Sequence, residues 1–551
     1  MDELPQMHHL TLTGLGGESA NGAPLRESSR FERVLRKRWI AISMTIIIVV
    51  GVALRTYAAA TKKLVGTDEA SYLMAGRNLW RGDGFGDSPG HPFTIHPGLH
   101  GIVVAGFARI AGLRDLDTAN GICFVTFGML GVLALFFLAR CLYDDLTAVL
   151  AAGLYATMPP LAIQVYYWDS TAEPLTLLLL VLGCYGFVRS YLGTTLRGAI
   201  VGSACFGVAA AVRSDGFVFM ASTAFVLLAA KILFDKWRFR QSLACLCLCM
   251  LAFAIAYAPY GAFLYRHTDK FTTAVADVTM RNYDPVRLEA DWFYRENPGE
   301  VDQDLTFVGY VVHNPGRYAK RVLQGLHALL LRRPTDLLPY YLFPFVGLAL
   351  FAEDRSRARN RVLLFIAAML APVFCYALFY IQLRFLVIAL PAILLLVARG
   401  LALPRFKSHW AQVVLPAAVL LALSLHSLGK LPAFRQEQDH DEFRQAAVWI
   451  ASHSAPGDYL MTRKPQVAFY ADRYIADMPW VKNEDELWQA VHDSNARYVV
   501  FDEALSLPYR PLLGQLLDKT RVEESRRFDV AYAIWQPGHK LVVLTPRDAQ
   551  R

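Results

Sequence analysis

The sequence predicts a polytopic α-helical membrane protein of about eleven spans with a small C-terminal α/β soluble domain. Three observations predict it. First, 55% of the 551 residues are hydrophobic and only 19% are charged, where a soluble chain carries about 25% charged residues. Second, the apolar residues gather in runs long enough to cross a bilayer. Third, the charge balance changes near Leu431. From there onward the chain carries 15 Lys/Arg against 18 Asp/Glu, while the preceding 430 residues hold a net +11. A basic excess confined to the apolar part fits loops anchored on the cytoplasmic side. No basic stripe with interleaved aromatics accompanies it, so nucleic acid is not an expected partner. Seven of the eight cysteines lie in or beside apolar runs, which argues against a disulfide framework or a cysteine-based zinc site.

Residues 1–35 are polar and read as a disordered cytoplasmic leader. Arg33, Arg36, Lys37 and Arg38 then precede an apolar run to about Tyr57, read as an uncleaved anchor. Further apolar runs fall at about 98–112, 119–139, 147–165, 174–190, 197–212, 215–234, 241–264, 336–352, 361–381, 385–400 and 410–428. If all of them span, the basic loops around Lys231–Arg240 and Arg355–Arg361 fall outside, against the positive-inside rule. The run 98–112 is short and broken by Gly101, Gly106 and Arg109. Reading it as a helix along the membrane surface repairs both placements. The domain plan is then a transmembrane unit over 36–430, with outside loops at 58–118 and 266–335, and an extracytoplasmic α/β unit over 431–551. The expected location is a bacterial inner membrane, multi-pass, with a cytoplasmic N-terminus.

This orientation gathers the polar interruptions on the outer face. The first outside loop carries Asp68-Glu69, and Thr67 or Asp68 could cap a helix starting near Glu69. Acids at such a place are either dipole partners or a carboxylate base at the membrane surface. The loop continues through His91 and His96-Pro97-Gly98. A second turn, Trp168-Asp169-Ser170-Thr171-Ala172-Glu173-Pro174, opens a span, with Thr171 as its expected cap. A third, Arg213-Ser214-Asp215-Gly216, reads as a capped hairpin between two spans. A fourth, Tyr380-Ile381-Gln382-Leu383-Arg384, puts an arginine at the outer mouth of a span, where it is either a snorkelling anchor or a ligand for an anion.

The order of these elements resembles the GT-C superfamily of lipid-phosphate-dependent glycosyltransferases. The similarity is to the bacterial branch of protein O-mannosyltransferases and aminoarabinose transferases, over roughly Arg38–Arg399. The resemblance implies a GT-C-like fold and a donor sugar carried on polyprenyl phosphate. It implies that Asp68 is the catalytic loop acid with Glu69 beside it, and that Glu173, with Asp169 nearby, is the second acidic or metal position. It implies that Arg384 binds the donor phosphate, and Arg213, in an Ala-rich turn, is expected as a second phosphate-binding residue. Tyr72, His96 and Tyr380 are expected on the acceptor side of the cavity. His96 and Pro97-Gly98 depart from the family's usual Lys and Pro-Pro. No cofactor is required by this reading. A divalent metal is left open, with His91, His96, His100, Asp68, Glu69 and Glu173 as the residues that could meet it.

An arginine suits a phosphate leaving group because its fork matches phosphate geometry and keeps its charge near lipid. A carboxylate opposite it could deprotonate an acceptor hydroxyl, and a single displacement would invert the anomeric centre. The partners expected are the lipid-linked donor, membrane lipids and a cell-envelope acceptor. The long loop 266–335, with Arg281, Tyr283, Asp284, Trp292 and Tyr294, reads as a cover for the cavity. In the tail, helices at 443–450 and 484–492 alternate with strands at 459–462 and 497–501, and no metal set is apparent. Two rival classes remain. A transporter or flippase would need mid-span charges and broken or repeated helices. A non-catalytic scaffold would give the outer acids and arginines no reason to share a face.

Overall fold

The computed structural model describes residues 30–94, 96–168, 171–193, 196–235, 239–271, 307–352, 356–378, 381–403, 409–437, 439–479 and 481–547. Asp169, Tyr380, the leader before Arg30 and the named residues of the long loop lie outside this set. So do the expectations placed on them.

The membrane part opens with α1 (Arg30–Thr61), α2 (Thr67–Arg81), a short hairpin of β1 (Gly86–Ser88) and β2 (His91–Pro92), and α3 (Leu99–Ala111). It continues through α4 (Leu116–Leu142) and α5 (Asp145–Thr157), then a π-turn at Pro160–Gln164 running into α6 (Val165–Tyr167). Next come α7 (Glu173–Leu192), α8 (Arg197–Val212), α9 (Asp215–Asp235) and α10 (Phe239–Thr268). Beyond the long loop follow α11 (Phe307–His313), α12 (Pro315–His327), α13 (Pro334–Leu337), α14 (Phe343–Phe351) and α15 (Arg357–Cys375). The last are α16 (Leu383–Leu386), α17 (Leu390–Ala402) and α18 (His409–Glu437).

Among the described residues, eight helices are long and apolar enough to cross a membrane, or nine if a bent pair counts as one span. Of the eleven expected spans, those at 197–212 and 336–352 are shorter apolar helices, as is α3. Large apolar side chains such as Ile46, Val49, Leu251, Ile255, Leu421 and Leu425 stand exposed on α1, α10 and α18, as expected of surfaces solvated by lipid.

The bent pair shows how the sequence handles a broken span. Pro159-Pro160 ends α5 and turns the chain by 53°. Proline removes backbone donors and leaves carbonyls without helical partners. Arg55, fully buried on α1, reaches across to them. Its guanidinium donates to Ala156 O at 3.0 Å, Leu161 O at 3.2 Å and Tyr155 O at 3.3 Å.

The interruptions that made 98–112 look unlike a span are contacts. Gly101 lets α3 cross α2 at backbone distance, since a Cβ there would lie 1.8 Å from Tyr72 O. Gly106 faces the Trp80 ring, and Arg109 Nη1 donates to Trp80 O at 2.7 Å. The α2–α3 pair is thereby fixed as one unit beside the start of α4.

The tail folds as α19 (Asp441–His453), β3 (Tyr459–Thr462), α20 (Gln466–Ala471), β4 (Tyr474–Asp477), α21 (Glu484–Asp493), β5 (Ala496–Asp502), α22 (Lys519–Glu523), β6 (Phe528–Ile534) and β7 (Leu541–Pro546). Its five strands lie in the order β4-β3-β5-β7-β6. The β4-β3-β5 part is parallel and the β5-β7-β6 part antiparallel. Val499, Val500, Phe501 and Val542–Leu544 are fully buried at its centre. Phe443, Ile450, Val467 and Phe469 share a hydrophobic cluster with Val65, Leu73 and Val104, so the tail and the α2–α3 unit have a common core.

Candidate active site

The alternation of the helices brings distant residues to one end of the bundle. There α2, α7 and α9 begin, α8 and α15 end, and α16 begins. Asp68 is the second residue of α2, and Gly66, rather than Thr67 or Asp68, is the N-cap. The expected cap therefore corrects to Gly66. The side chain that serves the cap is Glu69, which accepts from Gly66 N at 2.7 Å. Asp68 is left free of capping duty and accepts instead from Arg384 Nη1 at 2.9 Å. Arg384 Nε donates to Gln382 Oε1 at 2.7 Å.

A second ion-pair set lies alongside. Arg213 donates from Nη1 to Glu173 Oε1 at 2.8 Å and from Nε to Asp215 Oδ2 at 3.0 Å. Tyr376 OH donates to the other oxygen of Asp215. Phe385 joins the two sets. Tyr376 stacks on its ring at 5.2 Å, and the guanidinium carbons of Arg213 and Arg384 lie 5.4 and 5.1 Å from its centroid. Tyr72 and His96 complete this face, edge to face at 6.3 Å, and Tyr260 OH holds the His96 carbonyl at 3.0 Å. Asp68, Tyr72, His96, Glu173, Arg213 and Arg384 are therefore brought together. Glu173 begins α7, but Thr171 is not its cap; the N-cap is Ala172, and the Thr171 side chain turns elsewhere.

Glu69 faces the other way. It is fully buried, pairs with Lys62 and accepts from Asn120 Nδ2. Asn120 Nδ2 also donates to Thr171 Oγ1 at 3.1 Å, and His100 Nε2 lies 3.0 Å from Asn120 Oδ1 and 3.2 Å from Thr171 Oγ1. The two neighbouring acids thus occupy different environments. The Asp68 side chain keeps 24% exposure and that of Arg384 17%, against none for Glu69.

The electrostatics follow. Burial pushes the Asp68 carboxyl up, but the Arg384 guanidinium, with His96 and Lys464 nearby, outweighs it and holds the group below the usual carboxylate range. Burial pushes Glu69 up to about 7 despite Lys62. Burial also lowers His96, and it takes His100 down to about 4, so both rings are neutral at pH 7.

The histidines considered for a metal do not converge. His91 is exposed on β2, His100 turns its Nε2 to Asn120 and Thr171, and of the three only His96 adjoins Asp68. Several residues of the cluster gave no signal in sequence. Lys62 lies just past the first apolar run, and Asn120, Tyr376 and Phe385 lie inside the runs 119–139, 361–381 and 385–400. The tail also contributes: Gln466 Nε2 donates to Thr67 Oγ1 at 2.9 Å, next to Asp68.

No protein-family model matches the chain, and no curated protein matches its sequence. Solved structures do match. The structure of ArnT from Cupriavidus metallidurans bound to undecaprenyl phosphate aligns with a TM-score of 0.59 and 13% identity, over 92% of this chain and 98% of that one. The fold is GT-C. The Archaeoglobus fulgidus oligosaccharyltransferase, tethered with an acceptor peptide containing the NVT sequon, aligns with a TM-score of 0.51 and 14% identity, over 94% of this chain and 75% of that one. Both alignments show the fold, and each covers more than nine-tenths of this chain.

Proposed function

We propose that this chain is a glycosyltransferase that moves a sugar from a polyprenyl-phosphate-linked donor to a hydroxyl on a cell-envelope acceptor. It would act at the outer face of a bacterial inner membrane, with inversion. The observation that carries the reading is the Asp68–Arg384 contact beside the Glu173–Arg213–Asp215 set, on a fold whose ArnT counterpart binds undecaprenyl phosphate.

In the reaction proposed, the acceptor oxygen attacks the anomeric carbon while the bond from that carbon to the phosphate oxygen breaks. The polyprenyl phosphate departs as an anion and the acceptor proton passes to Asp68. Arg384, released from Asp68 as the donor enters, would hold the departing phosphate with charge-assisted hydrogen bonds. Arg213 is neutralised by two carboxylates and would serve to fix Glu173 and Asp215. Asp68, ionised at neutral pH, has the protonation state a base needs. The sugar and the acceptor class are left to experiment.

A transporter would use mid-span charge and broken helices, and both occur here in Arg55 and the α5–α6 break. Arg55 is committed to the carbonyls of that break, which makes it structural. The test is transfer of radiolabelled sugar from polyprenyl-phosphate donors to envelope extract by purified protein. Transfer that is lost in Asp68→Asn supports the reading. Equal transfer by both proteins removes Asp68 from the base role, and no transfer with any donor returns the transporter reading.

A further inference from the structure

No metal set was apparent along the tail sequence, yet the fold assembles one. His440 stands just before α19, where the chain leaves α18, and Glu442 lies in the first turn of α19. His539 comes from the β6–β7 turn, 97 residues further on. Glu442 presents one oxygen to each ring. His440 Nδ1 lies 2.8 Å from Oε1 and His539 Nδ1 lies 3.0 Å from Oε2. The ring centroids are 6.0 Å apart. The three ligating atoms all lie within 4.8 Å of one another.

We propose that His440, Glu442 and His539 form a binding site for one zinc-like divalent cation, which ties the β6–β7 turn to the start of α19. The donor set argues for the class of ion. Two imidazole nitrogens and one carboxylate oxygen suit zinc, whereas calcium and magnesium take oxygen ligands. Ligands about 2.0–2.1 Å from a tetrahedral ion stand roughly 3.3 Å apart, so small rotations of the two rings convert the present contacts into coordination. The carboxylate is 3% exposed while the rings are 25% and 36% exposed. The site is therefore backed by protein and open on one side, where water would complete the shell. Asp502 lies nearby but accepts from Leu505 N, Ser506 N and Ser506 Oγ, which commits it to its own turn. The site is built from tail residues alone, and its role is to hold the hairpin against α19.

The test uses the full chain, purified through a tag without histidine, stripped with EDTA, loaded with zinc chloride and dialysed. About one zinc per chain is expected in the wild type, together with a higher melting temperature than the stripped protein, because binding energy at such a site is folding energy. His539→Gln and His440→Gln change partly exposed rings outside the hydrophobic core and should fold, yet lose both the zinc and the thermal shift. Cobalt in place of zinc should give intense visible bands in the wild type only. Asp68→Asn should keep its zinc, which separates this site from the membrane cluster. A wild type that holds no zinc after dialysis overturns the proposal. So do histidine variants that hold as much as wild type, or zinc that is lost from Asp68→Asn instead.

Discussion

The two sides of the α2 N-terminus are unlike environments. On one side Asp68 meets Arg384, an aromatic ring shared with Arg213, and partial solvent access. On the other, Glu69 is sealed with Lys62, Asn120 and the cap nitrogen of Gly66. The dipeptide is one motif in sequence, but in the fold its first acid meets Arg384 and its second is a buried structural pin. A helix rotates successive residues by about 100°, so adjacent acids at its start cannot share one environment. The cap decides which faces inward: only the third residue reaches back to the N-cap nitrogen, and that residue is Glu69.

The sharpest way to break this comparison is to neutralise each acid in turn. Asp68→Asn should lower transfer by about 10²–10⁴-fold and leave the melting temperature within a few degrees of wild type. Arg384→Gln should cost about 10²–10³-fold in transfer if it holds the departing phosphate, and it should also move the pH profile. In the wild type Asp68 is held below its unfolded value of about 3.9, so its ionised form persists through the neutral range. The stability carried by this pair is present above the unfolded value and is lost as pH falls through the lower folded value. Without Arg384 the burial of Asp68 is no longer offset, and the acid limb of kcat/KM should rise. An unmoved limb would mean that Arg384 does not govern Asp68.

Glu69 should respond in the opposite way. Glu69→Ala leaves Lys62 buried without its carboxylate, and breaking such a pair costs about 3–5 kcal/mol. The expected result is a large drop in melting temperature and in yield. The protein that does fold should transfer at a rate within several-fold of wild type. A well-folded Glu69→Ala protein that transfers nothing would reverse the assignment of the two acids.

How much of this was legible in sequence depends on the kind of contact. Glu173, Arg213 and Arg384 each stand at the end of an apolar run, and Asp68 lies in the outside loop that follows the first one. A polar residue in such a place is conspicuous, and alternating spans send every second end to the same side. The residues packed around them carry no such mark. Lys62 resembles an interfacial anchor, Asn120 sits in an otherwise apolar run, and Tyr376 and Phe385 look like lipid-facing aromatics. Their roles follow from helix crossings, such as the Gly101–Tyr72 approach, that no local pattern encodes. The tail behaves alike: its helices and first strands follow from periodicity, whereas the union of His440, Glu442 and His539 needs the sheet to bring the last hairpin back to α19.

The smallest expected effect concerns how the tail holds α2. Gln466 donates to Thr67 beside Asp68, Tyr470 OH accepts from Val65 N at 2.8 Å, and Asp472 pairs with Arg77 at 2.5 Å and Arg81 at 2.9 Å. These contacts fix the segment that aims Asp68, while Glu69 is fixed from within the membrane part. A neutral hydrogen bond contributes about 0.5–1.5 kcal/mol net, so Gln466→Ala should lower kcat/KM by no more than about tenfold, with little change in melting temperature. The same substitution should leave the Glu69 side untouched, so combining it with Glu69→Ala should give additive losses. Independent sites add and coupled ones do not. Non-additive losses would show that the open and sealed sides of α2 act as one unit, because both would then depend on a single placement of the helix start.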